Sequence, residues 1–81
     1  MSPDELARAL RLAEAGDWHG AHGIVQRDED DPLSCWVHAV LHRLEGDTGN
    51  ARYWYSRCGR QLREGIAPQA ELAEIRAALR D

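Results

Sequence analysis

Apolar residues recur three or four positions apart along most of the chain, which is the spacing of one buried helix face. The first such segment begins with Ser2 and Pro3, a capping residue followed by the residue favoured in a first helical turn. Gly16 and Gly46 interrupt the pattern most clearly. It predicts an all-α protein of about five short helices that form a single domain over residues 1–81. The positions expected to face the core, helix by helix, are Leu6, Ala9, Leu10 and Ala13; Trp18, Ala21, Ile24 and Val25; Leu33, Val37, Val40, Leu41 and Leu44; Ala51, Trp54, Tyr55, Cys58 and Leu62; and Leu72, Ile75 and Leu79.

A Gly-Asp dipeptide stands at two of the predicted breaks, at Gly16-Asp17 and again at Gly46-Asp47. In both places it joins one helical segment to the next, and an alanine follows early on the second helix. Repeated helix-turn-helix units are typical of solenoid folds. We therefore predict two stacked helical hairpins closed by a last helix at residues 69–80, that is, a short α-solenoid or bundle.

The segment from Glu45 to Tyr55 combines Gly46-Asp47, Ala51 and aromatic residues in an order that resembles the turn and second helix of a tetratricopeptide or Sel1-like repeat. The two Gly-Asp turns lie closer together than the tetratricopeptide repeat length of about 34 residues. This resemblance implies a helical repeat. From the repeat architecture, the small core and the lack of a catalytic motif, we expect the protein to bind a protein partner or a second copy of the chain, as a homodimer. Residues 36–55 also resemble a signature of short bacterial proteins of unknown function, which implies no activity.

The overall charge is that of an acidic globular domain. Hydrophobic residues make up 43% and charged residues 30% of the chain, and the formal net charge is −4. Proteins that bind nucleic acid usually carry a basic patch, so this balance argues against such a partner. The feature that favours it is a local cluster of arginines: Arg52, Arg57, Arg60 and Arg63.

Two features concern the cellular compartment. The start of the chain has neither the basic nor the apolar region of a signal peptide, and no apolar run approaches membrane-spanning length. Cys35 and Cys58 do not have the CxxC spacing of a metal or redox motif. We expect a cytoplasmic protein with reduced thiols and no contact with membranes.

The four histidines fall into two pairs, and each pair has helical spacing. His19 and His22 are three positions apart in the second helix, and His38 and His42 are four apart in the third. Both spacings place two imidazoles on one side of a helix. Stacked hairpins would pack these two helices together and supply up to four nitrogen ligands. A divalent transition metal such as zinc is therefore the candidate cofactor.

The third helix carries a second stripe on the side opposite its apolar face. Its members can all bind metals or carry protons, and they are Cys35, His38, His42 and Glu45. Within the predicted metal site, Glu45 and Cys35 would be outer members. The structural alternatives are that His42 pairs with Glu45 at helical spacing, that Glu45 instead accepts from Arg43 or closes the turn, that His38 caps a neighbouring carbonyl and that His19 is exposed. The choice depends on whether the third helix lies in the centre of the fold.

A second face of the fourth helix is a candidate partner-binding surface. Asn50, Tyr53 and Arg57 share that face, and tyrosine and arginine are enriched where proteins bind each other. Trp36 would join such a surface if it were exposed. The alternative is that Tyr53 covers the edge of the core while Arg57 extends into water, and that Trp36 packs inside.

The sequence contains no phosphate-binding loop, dinucleotide fingerprint or serine-nucleophile motif. A Cys35–His38 pair is a conceivable activated thiolate, but it has no obvious oxyanion hole. These absences favour a non-enzymatic protein. The leading hypothesis is a small helical-repeat-like module for protein interaction or scaffolding, and the alternative is a metal-binding protein that uses the histidines between helices two and three.

Overall fold

The computed structural model of the protein describes residues 1–80, which fold into helices joined by short connections and contain no strand. This confirms the all-α prediction. No helix in that range is long and apolar enough to cross a lipid bilayer. The helices are α1 (Pro3–Glu14), α2 (Trp18–Val25), α3 (Pro32–Leu44), α4 (Thr48–Arg57) and α5 (Pro68–Arg80).

The first Gly-Asp turn ends one helix and begins the next within two residues. Gly16 adopts φ = 88°, a left-handed conformation that favours glycine. The backbone N–H of Asp17 donates to the carbonyl of Leu12 at 2.8 Å and so closes the end of α1. The side chain of the same aspartate then accepts from the N–H of Gly20 at 2.9 Å and caps α2.

The second Gly-Asp turn has the same geometry. Gly46 has φ = 85°, and the N–H of Asp47 donates to the carbonyl of His42 at 2.8 Å. The side chain of Asp47 accepts from the N–H of Asn50 at 3.1 Å, so this aspartate is the cap of α4. Because the connection is so short, α3 and α4 form an antiparallel hairpin in the same way as α1 and α2.

Helix α3 is the centre of the fold. It contacts all four of the other helices, and α5 closes the structure by packing against α1 and α3, the first helix of each hairpin. Every residue from 34 to 42 is buried. Both the apolar stripe and the polar stripe of α3 therefore face neighbouring helices over most of its length.

The observed core agrees with the predicted one except at helix ends and at Cys35 and Ala39, two buried residues of α3 that were not predicted to face the core. Leu44 is exposed because α3 ends there and the chain turns away at Gly46. Leu62 lies beyond α4, because Gly59 (φ = 73°) ends that helix and the N–H of Arg60 donates to the carbonyl of Tyr55 at 2.9 Å. The predicted core positions that are only partly buried are Trp18, Leu33, Cys58, Leu62 and Leu79.

A buried carboxylate joins α3, α4 and α5. Glu71 is 1% exposed and accepts hydrogen bonds from Trp36 Nε1 (2.8 Å), from the Tyr55 hydroxyl (2.6 Å) and from Arg43 (2.8 Å). Trp36 is itself only 3% exposed. Its predicted place on a partner-binding surface is therefore wrong, because its indole nitrogen is committed to Glu71 inside the core.

A candidate metal centre between the second and third helices

Three of the four histidines meet where α2 packs on α3. His22 comes from α2, and His38 and His42 come from successive turns of α3. One ring nitrogen from each lies within 4.8 Å of the others. The ring centroids are 4.7 Å apart for His22 and His38, 5.6 Å for His22 and His42, and 5.0 Å for His38 and His42. We call these three residues the histidine trio.

The spacing of the trio is close to that of a coordination sphere. Tetrahedral zinc with Zn–N bonds of about 2.0–2.1 Å holds its nitrogen ligands about 3.3 Å from one another. Nitrogen atoms that start within 4.8 Å need to approach by about 1.5 Å at most, which side-chain rotation can supply. The trio therefore lies close enough to hold a metal ion.

Two tryptophans form the walls of the trio. The Trp18 ring stacks on His22 with centroids 4.6 Å apart, and its Nε1 donates to the carbonyl of Leu41 at 2.6 Å. The Trp54 ring stacks on His38 at 3.8 Å, with an angle of 12° between the planes. The two tryptophan rings thus flank the imidazoles of His22 and His38.

Burial disfavours the charged form of two members of the trio, His38 and His22. The side chains of His38 and His42 are buried, and His22 is half-buried. Loss of water, and then charge repulsion from the neighbouring His22 and His42, lower the pKa of His38 to about 3. Burial, and then His42, also lower the pKa of His22. Neutral imidazole is the form that binds metal ions.

One nitrogen of the trio is buried and unpaired. His38 is 3% exposed, and among residues 1–80 its Nδ1 is the one buried side-chain nitrogen or oxygen that has no hydrogen-bond partner. Leaving such an atom unsatisfied costs about 1–3 kcal/mol. Native structures rarely accept this cost unless the atom meets water, an ion or a ligand, or has a functional role.

His42 differs from His38 in having a partner for Nδ1. Its Nδ1 lies 2.5 Å from Oε1 of Glu45, three residues later at the end of α3. The pairing that the helical spacing suggested is therefore present. Glu45 and Asp47 also form a second group with His42 within 4.8 Å, in which both acidic residues are exposed. Asp47 was not predicted as a metal ligand, and its side chain caps α4.

Besides Glu45, two other predicted ligands lie outside the trio. His19 is exposed in the first turn of α2, where its ring meets the edge of Trp18 at 5.3 Å. Cys35 lies one turn before His38, and its Sγ donates to the carbonyl of Glu29 at 2.9 Å. Burial raises the pKa of this thiol, which disfavours the thiolate needed for metal binding or nucleophilic attack. Both residues lie on the helices that form the trio, but each is about one turn away from the trio itself.

The two tryptophan walls were not predicted as parts of the site. Trp18 precedes His22 by four residues, and this spacing alone indicates that their side chains share a helix face. No comparable signal identifies Trp54, since it reaches His38 only through the packing of α4 on α3.

The predicted partner-binding residues of α4 form an exposed group without Trp36. Tyr53 is 52% exposed, and Arg57 donates to its hydroxyl at 3.2 Å while the guanidinium carbon lies 5.9 Å from the ring centroid. Asn50 is also exposed, one turn earlier on the same helix. The surface therefore has a large aromatic group whose position an arginine helps to fix.

Comparison of the chain with protein-family models, with curated proteins and with solved structures finds no match. The interpretation of function therefore depends on the chemistry of the site. Within residues 1–80, the trio combines ligand-competent groups, burial and an unpaired nitrogen in one place.

Proposed function

We propose that the protein binds a divalent transition metal ion through His22, His38 and His42, and that zinc suits this donor set best. The observation that carries the proposal is the unpaired Nδ1 of His38, buried beside two other imidazoles. A bound metal ion would satisfy this nitrogen. The lowered pKa of His38 supports the same function, because this imidazole has no extra proton to lose before it binds a metal at neutral pH.

The donor set also indicates the kind of metal. Three imidazole nitrogens suit zinc, copper, nickel and iron, whereas magnesium and calcium prefer oxygen ligands. Zinc sites with three protein ligands keep a fourth position for water or a small ligand. The half-buried His22 lies on the side of the trio nearest to solvent, so an ion would enter from that side.

Metal binding would also stabilise this small fold. A chain of 81 residues buries a limited core, and small domains often depend on an additional link. The trio would tie α2 to α3, that is, one hairpin to the other. A ligand at a free concentration of 100 times its Kd stabilises the folded state by about 2.7 kcal/mol.

Zinc titration of protein purified without a histidine tag tests the proposal. After treatment with a chelator, calorimetry or competition with a chromogenic chelator should give one zinc per wild-type chain. His22→Ala should abolish tight binding, because it removes one ligand from the half-buried edge and leaves the core intact. His19→Ala is the matched control, since it removes an imidazole from the same helix outside the trio.

The outcomes are distinct. Sub-stoichiometric zinc in the wild-type protein would refute the proposed function, as would equal binding by wild type and His22→Ala. Circular dichroism of each variant establishes that it is folded before binding is compared. Parallel titrations with copper and nickel rank the metals.

A second candidate function is self-association through the outer face of α4. It is supported by Tyr53, a large aromatic group exposed on the surface, and by Arg57, which holds it in place. Sedimentation over rising concentration tests this function, with Tyr53→Ala as the variant. A wild-type protein that stays monomeric throughout would exclude the homodimer. The concave surface of a repeat is a poorer candidate, because α5 already covers α1 and α3.

A further inference from the structure

Glu45 occupies a special position at the end of α3. It is the C-cap residue, and its N–H still donates to the carbonyl of Leu41 at 3.1 Å. Gly46 follows in a left-handed conformation and turns the backbone away. The Glu45 side chain is left over the last helical turn, where Oε1 lies 2.5 Å from Nδ1 of His42.

This contact favours one of the two neutral tautomers of His42. A neutral imidazole has one N–H donor and one acceptor nitrogen, and an ionised carboxylate can only accept. With His42 neutral and Glu45 ionised, Nδ1 of His42 is the donor and the lone pair of Nε2 is free. The His42 ring meets the other two imidazoles, at 5.6 Å from His22 and 5.0 Å from His38.

We infer that Glu45 is a positioning residue of the metal centre, which holds His42 in the Nδ1–H tautomer so that Nε2 becomes the ligand. This inference rests on the proposed metal-binding function. Metal-bound histidines commonly donate their second ring N–H to a carboxylate, which orients the ring and makes the ligand nitrogen more basic. Glu45 would also place a negative charge close to the bound cation.

The contrast with His38 supports a separate role for each imidazole. Nδ1 of His38 has no partner within residues 1–80, so it is the nitrogen that needs a metal or another ligand. Nδ1 of His42 is already engaged by Glu45. A metal ion would therefore offset the cost of burying Nδ1 of His38, whereas Glu45 orients the ring of His42 before any metal binds.

The effect of Glu45 on metal binding can be measured apart from its effect on folding stability, because its side chain is 37% exposed. Glu45→Ala should weaken zinc binding by about 10- to 100-fold, the usual effect of losing such an outer partner. Glu45→Gln should weaken it less, since the amide oxygen still accepts from Nδ1–H. Glu64→Ala is the matched control: it removes the same charge from a side chain that is 80% exposed, and it should bind like wild type.

A spectroscopic measurement tests the tautomer directly. Long-range proton–nitrogen NMR correlation on the metal-free protein distinguishes protonated from unprotonated ring nitrogens. In wild type, His42 should have a protonated Nδ1 and a bare Nε2, and in Glu45→Ala the signals should move toward a mixture of tautomers. A purely structural role for Glu45 would not produce this change.

The failures can be told apart. If the wild-type protein does not bind zinc, the proposed function and the role of Glu45 are both refuted. If wild type binds zinc but Glu45→Ala binds as tightly as Glu64→Ala, only the role of Glu45 is refuted. A bare Nδ1 on His42 in the metal-free wild type would likewise overturn this role and leave the metal site in place.

Discussion

Two buried polar clusters lie on opposite sides of α3, and they differ in how well their atoms are paired. Around Glu71, the carboxylate receives hydrogen bonds from Trp36, Tyr55 and Arg43. Around the histidine trio, Nδ1 of His38 has no partner within the described residues. A fully paired cluster stabilises and specifies the packing of its helices, whereas an unpaired buried atom lowers stability unless something binds it. This difference supports a structural role for the first cluster and agrees with the proposed metal binding by the second.

The largest expected effect comes from breaking the paired cluster. Glu71→Gln leaves the guanidinium of Arg43 without the carboxylate that pairs with it. The Arg43 side chain is only 11% exposed, so water compensates little for the loss. Breaking a buried ion pair from one side costs about 3–5 kcal/mol. Urea denaturation should show a loss of this size in the free energy of unfolding.

Glu74→Gln is the control for this prediction. Glu74 lies in the same helix as Glu71 and pairs with Arg63 at 2.8 Å. The side chains of Glu74 and Arg63 are both more than 40% exposed. The loss should be about 1 kcal/mol or less. Equal losses in the two variants would mean that the Glu71 cluster has no special structural role.

A smaller effect is expected from acid on the metal-free protein. The pKa of His38 is lowered to about 3 in the folded state, so the unfolded chain takes up a proton more readily from a pH of about 6.5 downwards. Stability is therefore fully present above that pH and falls as the pH decreases toward 3, by about 1 kcal/mol per pH unit for one such group. The lowered pKa of His22 acts in the same direction.

Urea denaturation between neutral and mildly acidic pH, in the presence of a chelator, measures this slope. The slope should become smaller in His38→Phe, which has no group to titrate at that position. An unchanged slope in this variant would mean that the acid sensitivity arises elsewhere in the chain.

The smallest expected effect is a gain in stability from the same substitution at neutral pH without metal. His38→Phe removes the unpaired Nδ1 and keeps an aromatic ring that stacks on Trp54. We expect the metal-free protein to become more stable by about 0.5–1 kcal/mol, because part of the gain is offset by the larger ring. Zinc binding should be lost in the same variant.

Thermal denaturation with and without zinc measures both halves of this prediction. His19→Phe, a change outside the trio on the exposed side of α2, should leave zinc binding intact. A metal-free His38→Phe protein that is clearly less stable than wild type would show that His38 has a structural role like that of Glu71.

Much of the fold could be predicted because its signals are local. Helix caps and left-handed glycines act over a few residues, so Asp17, Asp47, Gly16 and Gly46 marked the hairpins correctly. The end of α4 was misplaced, because Leu62 continues the apolar spacing although the backbone has already turned. Periodicity records which residues face the core, but it does not record where the hydrogen-bonded helix stops.

The site was predicted in part for a related reason. Helical phase placed His22, His38 and His42 on faces that could meet. Helical phase contains no information on where along their lengths two helices cross. This crossing point decides that His19 and Cys35 lie outside the trio. The partner of Trp36 was also hidden, since Glu71 comes from a helix 35 residues later in the chain.

The two short Gly-Asp turns have a consequence for the order in which the chain folds. Each hairpin forms from contacts between residues close in sequence, and closing a short loop costs little chain entropy. The contacts of α5 with α1 join opposite ends of the chain, and the ion pair of Arg76 with Glu14 spans 62 residues. We therefore expect the hairpins to form early and α5 to dock last, so that its docking limits the folding rate.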